Sequence, residues 1–300
     1  MKTISLRAVA NALPETRVPN NYFGTGNDPA ERIMFKGAKE RRHVARGETA
    51  TDLIAQAVEQ LQDELGKEYF DDVDIILTNV SIPDLPFTGC GAEVAKRLGI
   101  QPSTVYDLHN HGCVAFVSMI PLAQSLMTTM GAKKALLCNV QTAAGRVFSH
   151  DDVRVLPQAA IPGDGCGVAV LEEGDFRPIL GTAVRCHPEY ASDMQLAGGE
   201  GARWWEPRES QFRIDFSRAT IAKVVERGNA LVPEAVEEAL AAAGEKGTPI
   251  DVLVTNQPNP VFLRNWRDAL GVDESGHVDT FAEYGNLFGA GIPVSLKRAM

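Results

Sequence analysis

Bilayer-length apolar runs, paired cysteines and an excess of positive charge are all missing from this 300-residue chain. No apolar stretch approaches the length that spans a bilayer, and Met1-Lys2-Thr3-Ile4-Ser5-Leu6-Arg7 lacks the apolar core of a signal peptide, so neither membrane insertion nor export is expected. The five cysteines, Cys90, Cys113, Cys138, Cys166 and Cys186, are odd in number and have no C-x-x-C spacing. That pattern indicates neither a disulfide framework nor a zinc site and fits a reducing cytoplasm. Acidic residues outnumber basic ones by 39 to 29, and the formal charge of −10 argues against nucleic acid as a main partner. One basic cluster stands out, Lys36-Gly37-Ala38-Lys39-Glu40-Arg41-Arg42-His43.

Hydrophobic residues make up 44% of the chain, enough for one large α/β domain or two fused halves. Residues 3–10 read as a strand, followed by a turn at Leu13-Pro14-Glu15 and a Gly/Asn/Pro-rich loop from Asn20 to Pro29. Thr49-Ala50-Thr51-Asp52 supplies caps for a helix whose Leu53, Ala57, Leu61 and Leu65 share a face, and Gly66 ends it. The nearly continuous apolar run Asp74 to Val80 predicts a strand covered on both faces. A Pro-rich loop, a helix through Ala92 to Leu98, a strand at Val105 to Leu108, an apolar helix from Cys113 to about Met130 and a strand from Ala135 to Val140 follow. This alternation predicts a largely parallel, layered α/β architecture.

The second half repeats the order. Helices at Phe216 to Gly228 and Glu234 to Gly244 lead into Ile250 to Asn256, an echo of Val73 to Asn79, and Leu270-Gly271-Val272 matches Leu98-Gly99-Ile100. His277 to Phe281 matches the strand at Val105 to Leu108, so Tyr284-Gly285-Asn286 enters a helix where the first half has His111-Gly112-Cys113. Two pseudo-symmetric halves, 1–172 and 173–300, would then bring Cys113 and Asn286 to one site. The first half runs on through Ile161-Pro162-Gly163-Asp164-Gly165 into a further strand, whereas the second reaches Met300 within its helix; a further strand or hairpin is expected there.

Cys113 is the centre of the chemistry. It opens an apolar helix, where unpaired backbone N–H groups and the helix dipole favour an anion and lower a thiol's pKa. A nucleophilic cysteine is the functional reading, a buried structural cysteine the alternative. His109 and His111 precede it closely, and His111 is a candidate base, with His187 a second. The irregular stretch Arg185 to Arg213, with Trp204-Trp205, is either an insertion over the site entrance that touches substrate or a surface excursion.

Taken together, Lys39 to His43, Phe87 ahead of Leu98-Gly99-Ile100, Cys113 after its strand, Gly163-Asp164-Gly165, Asn256-Gln257-Pro258-Asn259 and Tyr284-Gly285-Asn286 resemble the ketoacyl-acyl-carrier-protein synthase III branch of the thiolase-fold condensing enzymes. The resemblance implies a five-layered α-β-α-β-α fold, a homodimer and an acyl-Cys113 intermediate loaded from a CoA or carrier-protein thioester. It implies no cofactor beyond that thioester substrate and no metal. In the family a histidine and an asparagine complete the site. Here Asn286 matches, but Asn256 stands at one histidine position and Tyr284 replaces the histidine before Gly-Asn. Asn256 can donate a hydrogen bond, yet it cannot act as a general acid or base, so decarboxylation of malonyl groups should be weakened more than acylation of Cys113.

By the same resemblance, the Cys113 backbone N–H and the Gly291 region supply oxyanion donors, and Phe87 reaches across the dimer to wall the partner's acyl pocket. Arg41 and Arg42, in the basic cluster, would meet a CoA phosphate or an acidic carrier protein. The family's adenine-stacking tryptophan is absent around Glu31 and Arg32, which favours a carrier-protein donor. Three functions follow: an acyltransferase to an oxygen or nitrogen acceptor in natural-product biosynthesis, a decarboxylative condensing synthase, and a catalytically reduced partner subunit.

Overall fold

Residues 3–24, 37–85, 87–109, 111–191, 196–197, 213–214 and 218–300 are described by a computed structural model of the chain. The first half supplies strands β1 (Ile4–Ala12), β2 (Thr16–Pro19), β3 (Glu40–His43), β4 (Ile75–Val80), β5 (Thr104–Leu108), β6 (Lys134–Gln141) and β7 (Gly165–Glu173). Its main helices are α1 (Ala50–Leu65), α2 (Gly91–Leu98) and α3 (Ala115–Met130). Thr49 caps α1 as the sequence predicts: its hydroxyl accepts from the Asp52 N–H (3.1 Å) and the Asp52 carboxylate accepts from the Thr49 N–H (3.0 Å).

Five strands form one sheet in the order β1-β7-β6-β4-β5. β4 lies parallel to β5 and β6, whereas β7 runs antiparallel to both β6 and β1. The sheet is therefore mixed rather than largely parallel. The parallel strands are joined through helices, whereas β6 reaches β7 through short helical turns and β7 returns antiparallel beside it. Leu53, Ile54 and Leu61 of α1 and Val94 of α2 pack on one face with Ile76, Leu136 and Val168. On the other face Phe116, Met119, Ala123 and Met127 of α3 pack on Ile75, Leu77 and Leu137.

One sequence expectation needs correcting here. Gly112–Met130, 19 residues with mean hydropathy 1.5, is long and apolar enough to cross a membrane. Its buried residues recur at helical spacing against the sheet, which gives the segment a place in the layers.

The second half contributes α4 (Arg218–Ala242), α5 (Pro260–Ala269) and α6 (Gly291–Ala299). The two helices expected before residue 245 are one, with Pro233 inside it. Packing against α5 outweighs the proline: Trp266 Nε1 donates to the Gly228 carbonyl (2.8 Å), and the absence of a side chain at Gly228 admits the Phe262 ring. The echoing segments 250–256 and 277–281 run parallel but meet in a single bridge, Leu253 with His277. Thr280 is tied to Ser295 of α6 (2.8 Å), and Phe281 packs with Phe262 and Trp266. Among the described residues the second half thus contributes one parallel bridge and its helices to the α/β layers, and the five-stranded sheet is the principal β layer.

Strand alternation turns Arg41 and His43 of β3 inward, and Arg41 is fully buried. Its guanidinium donates to the carbonyls of Ala160 (2.6 Å), Ala38 (3.1 Å) and Val18 (3.4 Å) and to Asn20 Oδ1 (3.0 Å), and it lies over the Phe23 ring. Burial lowers its pKa to about 10. Arg42 donates to the carbonyls of Pro14 (3.0 Å) and Glu15 (3.3 Å). The assignment of Arg41 to substrate phosphate is therefore corrected, because Arg41 is enclosed by its own carbonyl acceptors; Arg42 is half-buried and rests one guanidinium nitrogen on the Pro14-Glu15 turn. We predict that Arg41→Met, which leaves those acceptors unanswered, loses about 3 kcal/mol in urea unfolding; a loss below about 0.5 kcal/mol would contradict this structural role.

Candidate active site

At the carboxyl end of β5 the chain turns through Gly112, whose φ of +49° suits glycine, and Cys113 lies in the short turn Gly112–Val114 that opens α3. A second turn, Phe288–Ala290, approaches it: a Cβ on Gly289 would come within 2.9 Å of the Gly112 carbonyl oxygen. The two helix starts related by the repeat thus meet, and they meet through glycine.

Asn286 is delivered by the Gly163-Asp164-Gly165 turn. Its N–H donates to the Ile161 carbonyl (2.8 Å) and its carbonyl accepts from the Gly163 N–H (3.0 Å). Gly285 permits this approach with a φ of +69°, and a side chain on Gly163 would strike the Tyr284 carbonyl. Asp164, fully buried, accepts from the N–H groups of Val44 (2.9 Å), Ala144 (2.8 Å) and Gly145 (2.7 Å), and burial nevertheless raises its pKa to about 7. Asn286 Oδ1 accepts from the Phe288 N–H (2.9 Å), which holds Phe288 in the left-handed region at a φ of +46°. With Oδ1 so engaged, the amide nitrogen is left to donate to Cys113.

Asn256 comes from the end of segment 250–256. Its neighbour Gln257 is buried and pinned, donating to the carbonyls of Thr255 and Val278 (both 3.1 Å) and accepting from the Thr280 N–H (2.9 Å). Gly291 faces Asn256 directly, since a Cβ there would lie 2.8 Å from Asn256 Oδ1. Both asparagine side chains hydrogen-bond to the Cys113 sulfur. Burial pushes the Cys113 thiol up to about 11, while the two amides and its own backbone N–H act in the opposite direction. Burial of the sulfur thus acts against the thiolate that the helix start favours.

The other predicted residues are dispersed. His111 caps the Cys113 turn by position, with an exposed side chain and no side-chain cap bond. His109 lines an open cleft of about 410 Å3 at the ends of β4 and β5, with Thr78, Val80, Leu85, Phe87 and Asp107. Phe87 is 96% exposed. His187 pairs with Glu189 (3.3 Å) and stacks on Tyr190. The Tyr284 hydroxyl accepts from Arg298 (3.2 Å) rather than meeting the sulfur. Trp204 and Trp205 lie outside the described residues, as do Glu31 and Arg32. Among the described residues no group of three or more His, Cys, Asp or Glu side chains could hold a metal ion.

Asp164, Gln257 and Asn79 escaped functional notice in the sequence. Asn79 is the repeat mate of Asn256; its amide donates to the Leu108 carbonyl (3.1 Å) and so anchors the strand that leads to Cys113. The repeat contained that signal, because both echoing strands end in asparagine.

Residues 106–188 match the family model for 3-oxoacyl-[acyl-carrier-protein] synthase III, and residues 240–300 match the model for its C-terminal part. A β-ketoacyl-[acyl-carrier-protein] synthase III of Ruegeria pomeroyi is 28% identical over 300 residues, covering 97% of this chain and 88% of the relative. The solved synthase III of Thermus thermophilus superposes with a TM-score of 0.82 at 23% identity, over 98% of this chain and 89% of that one. The priming β-ketosynthase of the R1128 polyketide pathway gives 0.81 at 19% identity, over 99% of this chain and 87% of that one. The fold is that of the thiolase-type synthases.

With its thiol held near 11, Cys113 should be alkylated by iodoacetamide at a rate that rises about tenfold per pH unit between pH 7 and 9, read peptide by peptide in a mass spectrometer. A plateau below pH 8 would mean that the thiolate is already formed. In the same assay Gly291→Ala should change Cys113 labelling several-fold at pH 8 with less than about 1 kcal/mol lost in stability, because the added methyl displaces only the end of the Asn256 side chain; unchanged labelling would remove Gly291 from the site.

Proposed function

Because the chain belongs to the 3-oxoacyl-[acyl-carrier-protein] synthase III-like family, we propose that it is a thioester-dependent acyltransferase working through Cys113. The observation that carries this reading is the convergence of two carboxamides, Asn256 and Asn286, on one buried sulfur with no imidazole hydrogen-bonded to it among the described residues. Loading is a thiol exchange: the Cys113 sulfur attacks the thioester carbonyl, the bond to the donor sulfur breaks, and the Cys113 proton leaves with the donor thiol. Amide donors beside the sulfur stabilise the oxyanion of that step without themselves changing protonation. An oxygen or nitrogen acceptor of a natural-product pathway then takes the acyl group.

Acyl carrier protein and acyl-CoA are the donors of this family, and the burial of Arg41 removes one cation from the surface either donor would meet. A homodimer is supported by the edge strand β5, where Tyr106 is exposed, and by the exposed Leu85, Phe87, Val114 and Val117 nearby. Phe87→Asp is expected to lower the mass seen in sedimentation; a wild-type protein that sediments as a monomer would exclude the dimer.

Decarboxylative condensation is the second reading, favoured by the names of the relatives and by a chemistry that needs oxyanion donors more than a base. Intact-mass measurement with acetyl and malonyl thioesters of CoA and of a carrier protein separates the two. Acylation of Cys113 without carbon dioxide release is the predicted result, and Cys113→Ala should carry no adduct. Carbon dioxide release at the rate of turnover would establish condensation. No adduct from any donor would leave the catalytically reduced subunit.

A further inference from the structure

Two properties of the site bear on what takes the acyl group from Cys113. The first is an orphaned acceptor. Asn256 turns its side-chain N–H to the sulfur, and its carbonyl oxygen Oδ1 is buried with no hydrogen-bond partner, facing Gly291. A buried carbonyl left unanswered destabilises the free protein and is relieved by any ligand that brings a donor. Asn286 differs: its Oδ1 is already satisfied by the Phe288 N–H.

The second property is the lack of a base. Among the described residues no imidazole or carboxylate is hydrogen-bonded to Cys113, Asn256 or Asn286; His111 is exposed, His187 is engaged with Glu189, and His277 is bonded to Thr255 (3.0 Å). A hydroxyl acceptor needs its proton removed as it attacks, whereas a neutral amine is nucleophilic as it stands. An enolate acceptor is disfavoured on other grounds, because Oδ1 presents the negative end of a dipole to it.

We infer that Asn256 Oδ1 is the docking point for the N–H of a primary amine, which removes the acyl group from Cys113 as an amide. The inference rests on the acyl-Cys113 reading above. The amine nitrogen bonds to the acyl carbon, the carbon–sulfur bond breaks, and the proton lost by nitrogen ends on the sulfur, restoring the thiol with no further reactant. The departing Cys113 thiolate, whose thiol burial holds at about 11, accepts that proton readily.

The test starts from acyl-Cys113 formed on the full chain with acetyl-CoA and freed of donor by gel filtration. Benzylamine, benzyl alcohol and malonyl-CoA are then offered separately at equal concentration, with loss of the adduct followed by intact mass and products by chromatography. Amide should form at least about tenfold faster than ester, the factor expected for a donor that needs no base and meets a buried acceptor. In Asn256→His, the partition of preformed acyl-enzyme between amide and free acid should fall about tenfold, as one lost hydrogen bond allows. Ester formation as fast as amide formation, or discharge by malonyl-CoA with carbon dioxide, would overturn the amine assignment while leaving acyl-Cys113 standing. Failure to form any adduct would overturn both.

Discussion

Enclosing the Cys113 sulfur removes more solvation from a thiolate than two amide donors and its own backbone N–H restore, and the rest of the site answers to that imbalance. A nucleophile kept as a thiol reacts by exchanging its proton with its partner, not by waiting as an anion. The groups around it therefore need to orient and to stabilise an oxyanion, a task for which carboxamides suffice. Replacing an imidazole by Asn256 leaves the donor in place and removes the base.

Holding two amides on one sulfur demands close backbone approach from both halves of the repeat. Gly112 and Gly289 let the two helix starts touch, Gly163 and Gly285 let the Asn286 turn lie on the Gly163-Asp164-Gly165 turn, and Gly291 makes room for the Asn256 side chain. Asp164 stands behind this arrangement, fastening the end of β3 and residues 144–145 to the turn that presents Asn286. The first sheet gives the assembly its rigidity, with β4, β5 and β6 ending at the site and buried helices on both faces.

Much of this was legible in the residues. The capping box at Thr49, the apolar run at β4 and the internal repeat placed the elements of the first sheet, and the repeat brought Cys113 and Asn286 together. Three things were not legible. Burial is a sum over the whole fold, so the sign of the Cys113 shift could not be read from its position at a helix start. Arg41 looked like a surface cation because its acceptors lie at Val18, Asn20 and Ala160 as well as nearby Ala38, and no local pattern reports that. The helices expected at Phe216 to Gly228 and Glu234 to Gly244 are one because the compensating contacts to Phe262 and Trp266 come from another helix.

The central claim is that Asn256 and Asn286 both donate to the same sulfur. Nitrogen-15 spectra of protein labelled only at asparagine report each side-chain N–H pair separately. Comparing the wild type with Cys113→Ala, the account predicts that the amide signals of Asn256 and Asn286 shift together while that of Asn79, bonded to the Leu108 carbonyl, stays in place. If either site asparagine is indifferent to the loss of the sulfur, the two-amide account of Cys113 is wrong.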